Sequence, residues 1–332
     1  MLRTLWDLCR YLSPEGEEQT RRDLYGQLLR FSRRDCPGGY RKVRIPKHSG
    51  GIRVLWVPCP ALRRIQRELL RLLENAPLPP CATAYRKGVT LAANAAPHAG
   101  HPLVVKTDLK DFFDSVPFPA VFRAIDGALR RSPAFGPDIR EHPGRWYNAP
   151  LSFYLARLCT YRGTLPQGAP TSPLLSNLAF SPLDSIISEH CGSRGISYTR
   201  YSDDMTFSGS FSPEALLAFL HGLLGRSGYR LNREKTSVLG PGRRHLITGV
   251  TVSEKLSAGT RYKRALRQEF YYIGRFGLWE HLLRRYPGQE PDPYRYLMSL
   301  LGRVCFVLQL EPNNLEFQGY RRDCLMLRTL VF

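Results

Sequence analysis

Ile196-Ser197-Tyr198-Thr199-Arg200-Tyr201-Ser202-Asp203-Asp204-Met205-Thr206-Phe207-Ser208 is the stretch on which the reading of this chain turns. Two β-rich runs, 196–201 and 205–208, flank Ser202-Asp203-Asp204, the pattern of two strands joined at a short acidic tip. Upstream, Leu103 to Asp108 reads as a buried strand that ends in a third carboxylate and runs into Leu109-Lys110-Asp111-Phe112-Phe113. Carboxylates beside a core are costly unless hydrogen-bonded, paired or bound to a cation. Crowded together, they repel one another and resist ionisation unless divalent metal neutralises them. Two Mg²⁺ ions about 3.5–4 Å apart steady both the attacking and the leaving oxygen of an in-line displacement at phosphorus, and Mg²⁺ prefers hard oxygen ligands. Neighbouring strand residues face opposite ways, so one of Asp203 and Asp204 would bridge the metals while the other lies nearby. Taken alone, Asp-Asp is also a common solvated turn.

Outward from this tip the chain reads as mixed α and β. The first 35 residues are helical and basic, and 40–45 with 52–57 form a β-hairpin turning at Ser49-Gly50-Gly51. A helix follows on Leu62, Ile65, Leu69, Leu72 and Leu73 and stops before Pro77. Residues 130–150 read as a surface excursion. Ser212 caps a helix with Pro213 at its first position and Gly228 beyond its end. His245 to Val252 reads as a strand. From Lys255 to Arg303, ten Lys and Arg against four Asp and Glu interleave with Tyr262, Tyr271, Tyr272, Phe276, Trp279 and Tyr296. That pattern suits either a helical grip on nucleic acid or a helical module with an aromatic core.

The 332 residues suit about two domains, or one domain with an appendage. A hydrophobic content of 43% excludes wholesale disorder. The net charge of +20 favours a polyanionic partner, because phosphate contacts release counterions. No stretch approaches a membrane span, and the start lacks a signal peptide's apolar core, so the expectation is a cytosolic protein without a membrane partner. Eight scattered cysteines without a CxxC pair point to reduced thiols rather than structural zinc or a disulfide framework.

Four segments, in order, give the carboxylates their context. Tyr201-Ser202-Asp203-Asp204 resembles the YxDD motif of reverse transcriptases, with Ser where Ala is commoner. Thr107-Asp108, with Phe113 five residues after the Asp, is similar to the first palm motif of that family. Leu165-Pro166-Gln167-Gly168-Ala169-Pro170-Thr171-Ser172-Pro173 is similar to LPQGxxxSP, and Gly228-Tyr229 with Leu231-Asn232 and Lys235-Thr236 resembles GxxLxxxKT. Four such motifs in sequence are far more specific than any one alone. Ala93-Asn94-Ala95-Ala96-Pro97-His98 resembles the NAxxH segment of bacterial retron reverse transcriptases, and Ile247-Thr248-Gly249 their VTG segment with Ile for the first Val. Arg44-Ile45-Pro46-Lys47 with Gly51 and Arg53, and Tyr85-Arg86-Lys87-Gly88, are similar to the retron fingers. The segment from Leu300 to Pro312 is similar to the retron thumb.

The resemblance implies an α+β right-hand polymerase: a basic helical segment at 1–39, fingers at 40–100, a ferredoxin-like palm at 101–253 and a helical thumb at 254–332. It implies that Asp108, Asp203 and Asp204, with the carbonyl of Leu109, hold two Mg²⁺ ions. Lys47 and Arg53 would clamp the incoming deoxynucleotide triphosphate, or form a solvated hairpin face. Phe113 would act as a steric gate against a ribose 2′-hydroxyl, a role compatible with core packing. Gln167 and Gly168 would line the nucleotide and template pocket, and Tyr201 would brace the hairpin and touch the primer end. Lys235 would protonate or attract pyrophosphate, or simply favour a helix dipole. Asn94, His98, Thr248 and Gly249 would help hold structured RNA, although a structural His and a strand interior are the simpler readings.

The reaction implied is copying of a cognate noncoding RNA into branched multicopy DNA from a guanosine 2′-hydroxyl, in antiphage defence with a separate effector protein. A host RNase H would remove the template. The alternatives are a group II intron or diversity-generating reverse transcriptase, or an RNA-binding scaffold of a defence complex.

Overall fold

The computed structural model describes residues 2, 4–36, 38–46, 50–131 and 149–330, so Lys47 and most of the 130–150 excursion lie outside the described residues. The chain forms two compact units. The first comprises Met1–Val89, Lys106–Met205 and Phe211–Ser237, and the second Thr90–Val105, Thr206–Ser210 and Val238–Phe332.

In the first unit, α1 (Leu5–Leu12) begins at a reciprocal cap in which Thr4 and Asp7 satisfy each other's backbone groups. Helix α2 (Glu18–Phe31) follows. Strands β1 (Tyr40–Pro46) and β2 (Ile52–Pro58) pair antiparallel, with Tyr40 opposite Pro58 and Pro46 opposite Ile52. Helix α3 (Pro60–Leu73) buries Leu62, Ile65, Leu69 and Leu73, one stripe at helical spacing. Helices α5 (Phe118–Arg131), α6 (Ala149–Cys159) and α7 (Ser172–Gly192) pack together, burying Ile125, Leu129, Leu155 and Phe180. Helix α8 (Pro213–Arg226) is capped by Ser212, whose Oγ accepts from the Ala215 N–H at 3.2 Å, and it buries Leu216, Leu220 and Leu224.

The central sheet has the order β4-β5-β3-β6, from β3 (Leu103–Asp108), β4 (Ser197–Tyr201), β5 (Asp204–Gly209) and β6 (Ser237–Leu239). With helices between β3 and β4 and between β5 and β6, this is the β-α-β-β-α-β order of a ferredoxin-like sheet. The acidic tip therefore joins two neighbouring strands of this sheet.

In the second unit, α4 (Leu91–Ala95) starts at Thr90, whose hydroxyl accepts from the Ala93 N–H at 3.1 Å. Residues 245–252 form a tight hairpin, β7 (Leu246–Ile247) against β8 (Val250–Thr251), instead of the single strand expected. The reversal is made by Thr248 at φ 45° and Gly249 at φ 86°, a pair of left-handed residues that turns the chain in two positions. Four helices follow: α9 (Thr260–Phe276), α10 (Leu278–Arg285), α11 (Pro293–Leu310) and α12 (Leu315–Leu330). Their core of Leu266, Phe270, Leu282, Leu300, Val304 and Phe317 is shared with Ala95, Val104, Ile247 and Val250. The aromatics of this region divide. Tyr296 is buried, donating to Glu269 at 2.5 Å, while Tyr271 and Trp279 are more than half exposed. Among the described residues no helix is long and apolar enough to cross a membrane, and the eight cysteines are free.

Candidate active site

Strand β3 carries Val104 and Val105 fully buried and ends in Asp108, itself 5% exposed. Beyond it the backbone is pinned on both sides. The Leu109 N–H donates to the Asp203 carbonyl at 3.0 Å, which sets Asp108 beside the β4–β5 tip. The Asn232 N–H donates to the Asp108 carbonyl at 2.7 Å, and the Lys110 N–H to the Arg230 carbonyl at 2.8 Å. Three aspartates distant in sequence thus share one end of the sheet.

Their charges act on one another. Burial, and then the Asp108 carboxylate, push the Asp203 pKa up, although its own backbone N–H opposes the shift. Asp204 is raised by burial and then by Asp203 and Asp108. Lys235, at the end of a short 3-10 turn (Arg233–Lys235), places Nζ 2.7 Å from Asp108 Oδ1. Its pKa rises, chiefly through this hydrogen bond. The structure thus gives Lys235 a charged partner in the site, where the helix-dipole reading gave it none. Two aspartates raised by their carboxylate neighbours, with Lys235 and, at Asp204, Lys106 opposing the rise, are a donor set that divalent metal ions suit. Among the described residues no three His, Cys, Asp or Glu side chains already form a closed metal cluster.

The tip is held from behind by a network that sequence reading missed. Ser202 has φ 62°, a left-handed conformation that costs a non-glycine residue about 1–3 kcal/mol unless its surroundings enforce it. Arg200, fully buried, donates from Nη1 to the Ser202 carbonyl and to Asn177 Oδ1, both at 2.9 Å. Its other nitrogens pair with the fully buried Asp184 at 2.6 and 2.9 Å, and the guanidinium lies over Phe180. Tyr198 also donates to Asp184, at 2.8 Å. On the far side, the Arg200 N–H donates to Cys81 and the Thr83 N–H to Arg200, and the Tyr85 hydroxyl meets the Ser202 hydroxyl at 3.0 Å. The available signal was Asp184 itself, a carboxylate on the α7 stripe that carries Phe180 and Ile187.

Apart from Lys47, which is outside the described residues, the expected nucleotide-pocket residues lie in the same unit. Arg53 is exposed on β2 opposite Ile45. Three residues on, the Trp56 N–H donates to the Gln167 carbonyl at 2.7 Å, tying the hairpin to the Pro-rich loop. Gly168 has φ 114°, and a Cβ there would stand 3.1 Å from the Trp56 carbonyl, so a side chain is disfavoured both by the backbone conformation and by crowding. Phe113 is half-buried against Phe112, and Tyr201 is half-buried at the end of β4.

The four expected RNA-holding residues belong to the second unit. Asn94, buried, donates to the Thr248 hydroxyl at 3.1 Å, bringing two of them together beneath the exposed Gly249. His98 is fully buried with Nδ1 2.7 Å from the Ser208 hydroxyl.

Residues 45–274 match the family described as "Reverse transcriptase (RNA-dependent DNA polymerase)". The Escherichia coli retron Ec86 reverse transcriptase is 32% identical over 226 residues, 67% of this chain and 65% of that protein. The Myxococcus xanthus retron Mx65 reverse transcriptase is 31% identical over 302 residues, 85% of this chain and 64% of that protein. The chain thus spans a little under two thirds of these curated relatives. Against the E. coli retron Ec83 reverse transcriptase it is 30% identical over 243 residues and covers 72% of that protein. Among solved structures, apo telomerase from Candida tropicalis truncated from its C-terminal domain aligns with a TM-score of 0.46 at 14% identity, over 66% of this chain and 54% of that one.

Proposed function

The chain belongs to the reverse transcriptase (RNA-dependent DNA polymerase) family, and on that premise we propose that it is the RNA-directed DNA polymerase of a bacterial retron. The observation that carries the reading is the bond from the Leu109 N–H to the Asp203 carbonyl, with the Asp108 carboxylate raising the pKa of both Asp203 and Asp204 beside it. A protein that only bound RNA would gain nothing from negative charge gathered in one place.

Members of the family use divalent metal ions, and we assign Asp108, Asp203, Asp204 and the Leu109 carbonyl as the groups that would hold two Mg²⁺. When bound, the ions would activate the primer hydroxyl and neutralise charge on the leaving pyrophosphate. Of the chain's own residues, Arg53 and Lys47 receive the triphosphate, Phe113 closes the space beneath the sugar, and Gln167 and Gly168 border the nucleotide. Tyr201 steadies the primer end. Lys235 holds Asp108 until pyrophosphate leaves and then offers it a cation or a proton.

The reading assigns fingers to 40–100, palm to 101–253 and thumb to 254–332, and places the protein in the bacterial cytoplasm. It includes a structured noncoding RNA held through Asn94, Thr248 and Gly249, with His98 in support. It further includes priming from a guanosine 2′-hydroxyl, a branched RNA–DNA product, template removal by host RNase H, and antiphage defence with an effector protein. The test is the double substitution Asp203→Asn with Asp204→Asn, assayed for DNA synthesis on an RNA template and for RNA binding. Lost synthesis with retained binding is the expected result. Unchanged synthesis overturns the assignment.

A further inference from the structure

The second unit contains an arginine-lined cavity apart from the four residues assigned to RNA. Its volume is about 550 Å³, and it is bordered by Arg244, Thr251, Ser257, Thr260, Arg261 and Arg264, with the Arg244 guanidinium against Gly259. Arg261 and Arg264 stand three apart in the first turns of α9, so one helix face presents both. Arg244 comes from the other side, its Nε and Nη2 both donating to the Thr251 hydroxyl at 3.1 and 2.8 Å. The floor is fixed, because Thr251 and Ser257 exchange backbone hydrogen bonds at 2.8 and 3.0 Å.

No carboxylate borders the cavity, and among the described residues none of the three guanidiniums forms an ion pair. The neighbouring Glu311 is already engaged by Lys263 at 2.8 and 2.9 Å, by Ser257 at 2.7 Å and by Asn314 at 3.0 Å. Some arginines of this unit do find partners, as Arg267 does on Glu316 and Arg303 on Glu269. Three permanently charged guanidiniums border one cavity with no anion on its wall, and a planar guanidinium fork suits phosphate oxygens two at a time. The Thr251 and Thr260 hydroxyls add neutral donors of the kind that commonly complete a backbone phosphate contact, while the Ser257 hydroxyl is spent on Glu311.

We propose that this cavity binds a phosphodiester of the structured RNA, at the base of the β7–β8 hairpin whose turn is Thr248-Gly249. The proposal deepens the functional reading and rests on it. A phosphate held here would register the RNA against the hairpin turn without reading its sequence.

The experiment uses the full chain and a fluorescein-labelled RNA stem-loop, with the dissociation constant measured across a salt series. Arg261→Ala with Arg264→Ala is compared with wild type and with Arg22→Ala plus Arg71→Ala, which removes the same charge from ion-paired surface positions on α2 and α3. The cavity variant should bind about tenfold more weakly, and its dependence of log affinity on log salt should fall by about 1, the contribution of one phosphate. The control pair should leave the slope unchanged. An unaltered slope in the cavity variant, or an equal fall in both variants, overturns the site. Inorganic phosphate is the second probe: thermal stabilisation of wild type over the cavity variant with unchanged RNA affinity makes this a small-anion site and refutes the RNA assignment. Extension of oligo(dT) on poly(rA) by the wild type reports on the polymerase reading separately. Its absence sinks that reading whatever the RNA titrations give.

Discussion

Removing Asp184 tests whether the catalytic tip is held from behind by a buried charge pair. Arg200 and Asp184 are both fully buried and joined by two hydrogen bonds of 2.6 and 2.9 Å. In Asp184→Ala the guanidinium keeps its bonds to Asn177 and the Ser202 carbonyl but loses the only ion-pair partner it has among the described residues. Breaking a buried pair by deleting one partner costs about 3–5 kcal/mol. The Tyr198 hydroxyl loses its bond to Asp184 as well, within the same network, so the two losses do not add fully. A loss of about 4 kcal/mol is a large part of the roughly 5–15 kcal/mol that holds a domain folded. With a urea slope of about 2.5 kcal/mol/M it lowers the midpoint by roughly 1.5 M. The assay is urea denaturation followed by circular dichroism. Asp184→Leu with Arg200→Met removes both charges and should recover most of the loss, because apolar replacement of a buried pair is often neutral. An Asp184→Ala midpoint within about 0.3 M of wild type would refute the reasoning.

Other perturbations have equally definite outcomes. His98, buried and beside His101, has its pKa lowered from 6.5 to about 4, so between those values the unfolded chain takes up a proton that the folded chain refuses. Stability should therefore be complete above pH 6.5 and fall as pH drops towards 4, by up to about 3 kcal/mol from this group, with His98→Gln flattening the profile in pH-dependent denaturation. Asp204→Asn removes a carboxylate that burial and two like charges disfavour, so in chelator its melting temperature should exceed that of wild type; a lower one contradicts the repulsion. Gly168→Ala, strained in backbone and crowded against Trp56, should cost about 1–3 kcal/mol and slow nucleotide addition; wild-type rates would show that the loop tolerates a side chain.

The sheet strands were legible because apolar runs ending in carboxylates are a pattern with few readings. Leu103–Asp108 and the two strands around Ser202-Asp203 appear where that pattern puts them. The β7–β8 hairpin was not legible, because Thr is a poor advertisement for a left-handed turn residue and each strand has only two residues. Strand β6, three residues long, gave no periodicity to read. The Arg200–Asp184 pair joins a strand to the middle of a helix and exists only once both elements are packed. Compactness also ignores sequence order: the chain leaves the second unit within β3 and re-enters it within β5, which consecutive boundaries do not express. Lys235 was legible as a motif position, but its partner Asp108 emerged only from the geometry.

Counting bound divalent ions tests the central claim most directly. Mn²⁺, in place of Mg²⁺, is titrated into the protein carrying an RNA template and a DNA primer, and bound metal is read by electron paramagnetic resonance. Two tightly held ions in wild type, with at least one lost in Asp108→Asn and in Asp204→Asn while primer–template stays bound, is the result this account predicts. Equal metal binding by wild type and both variants would contradict it.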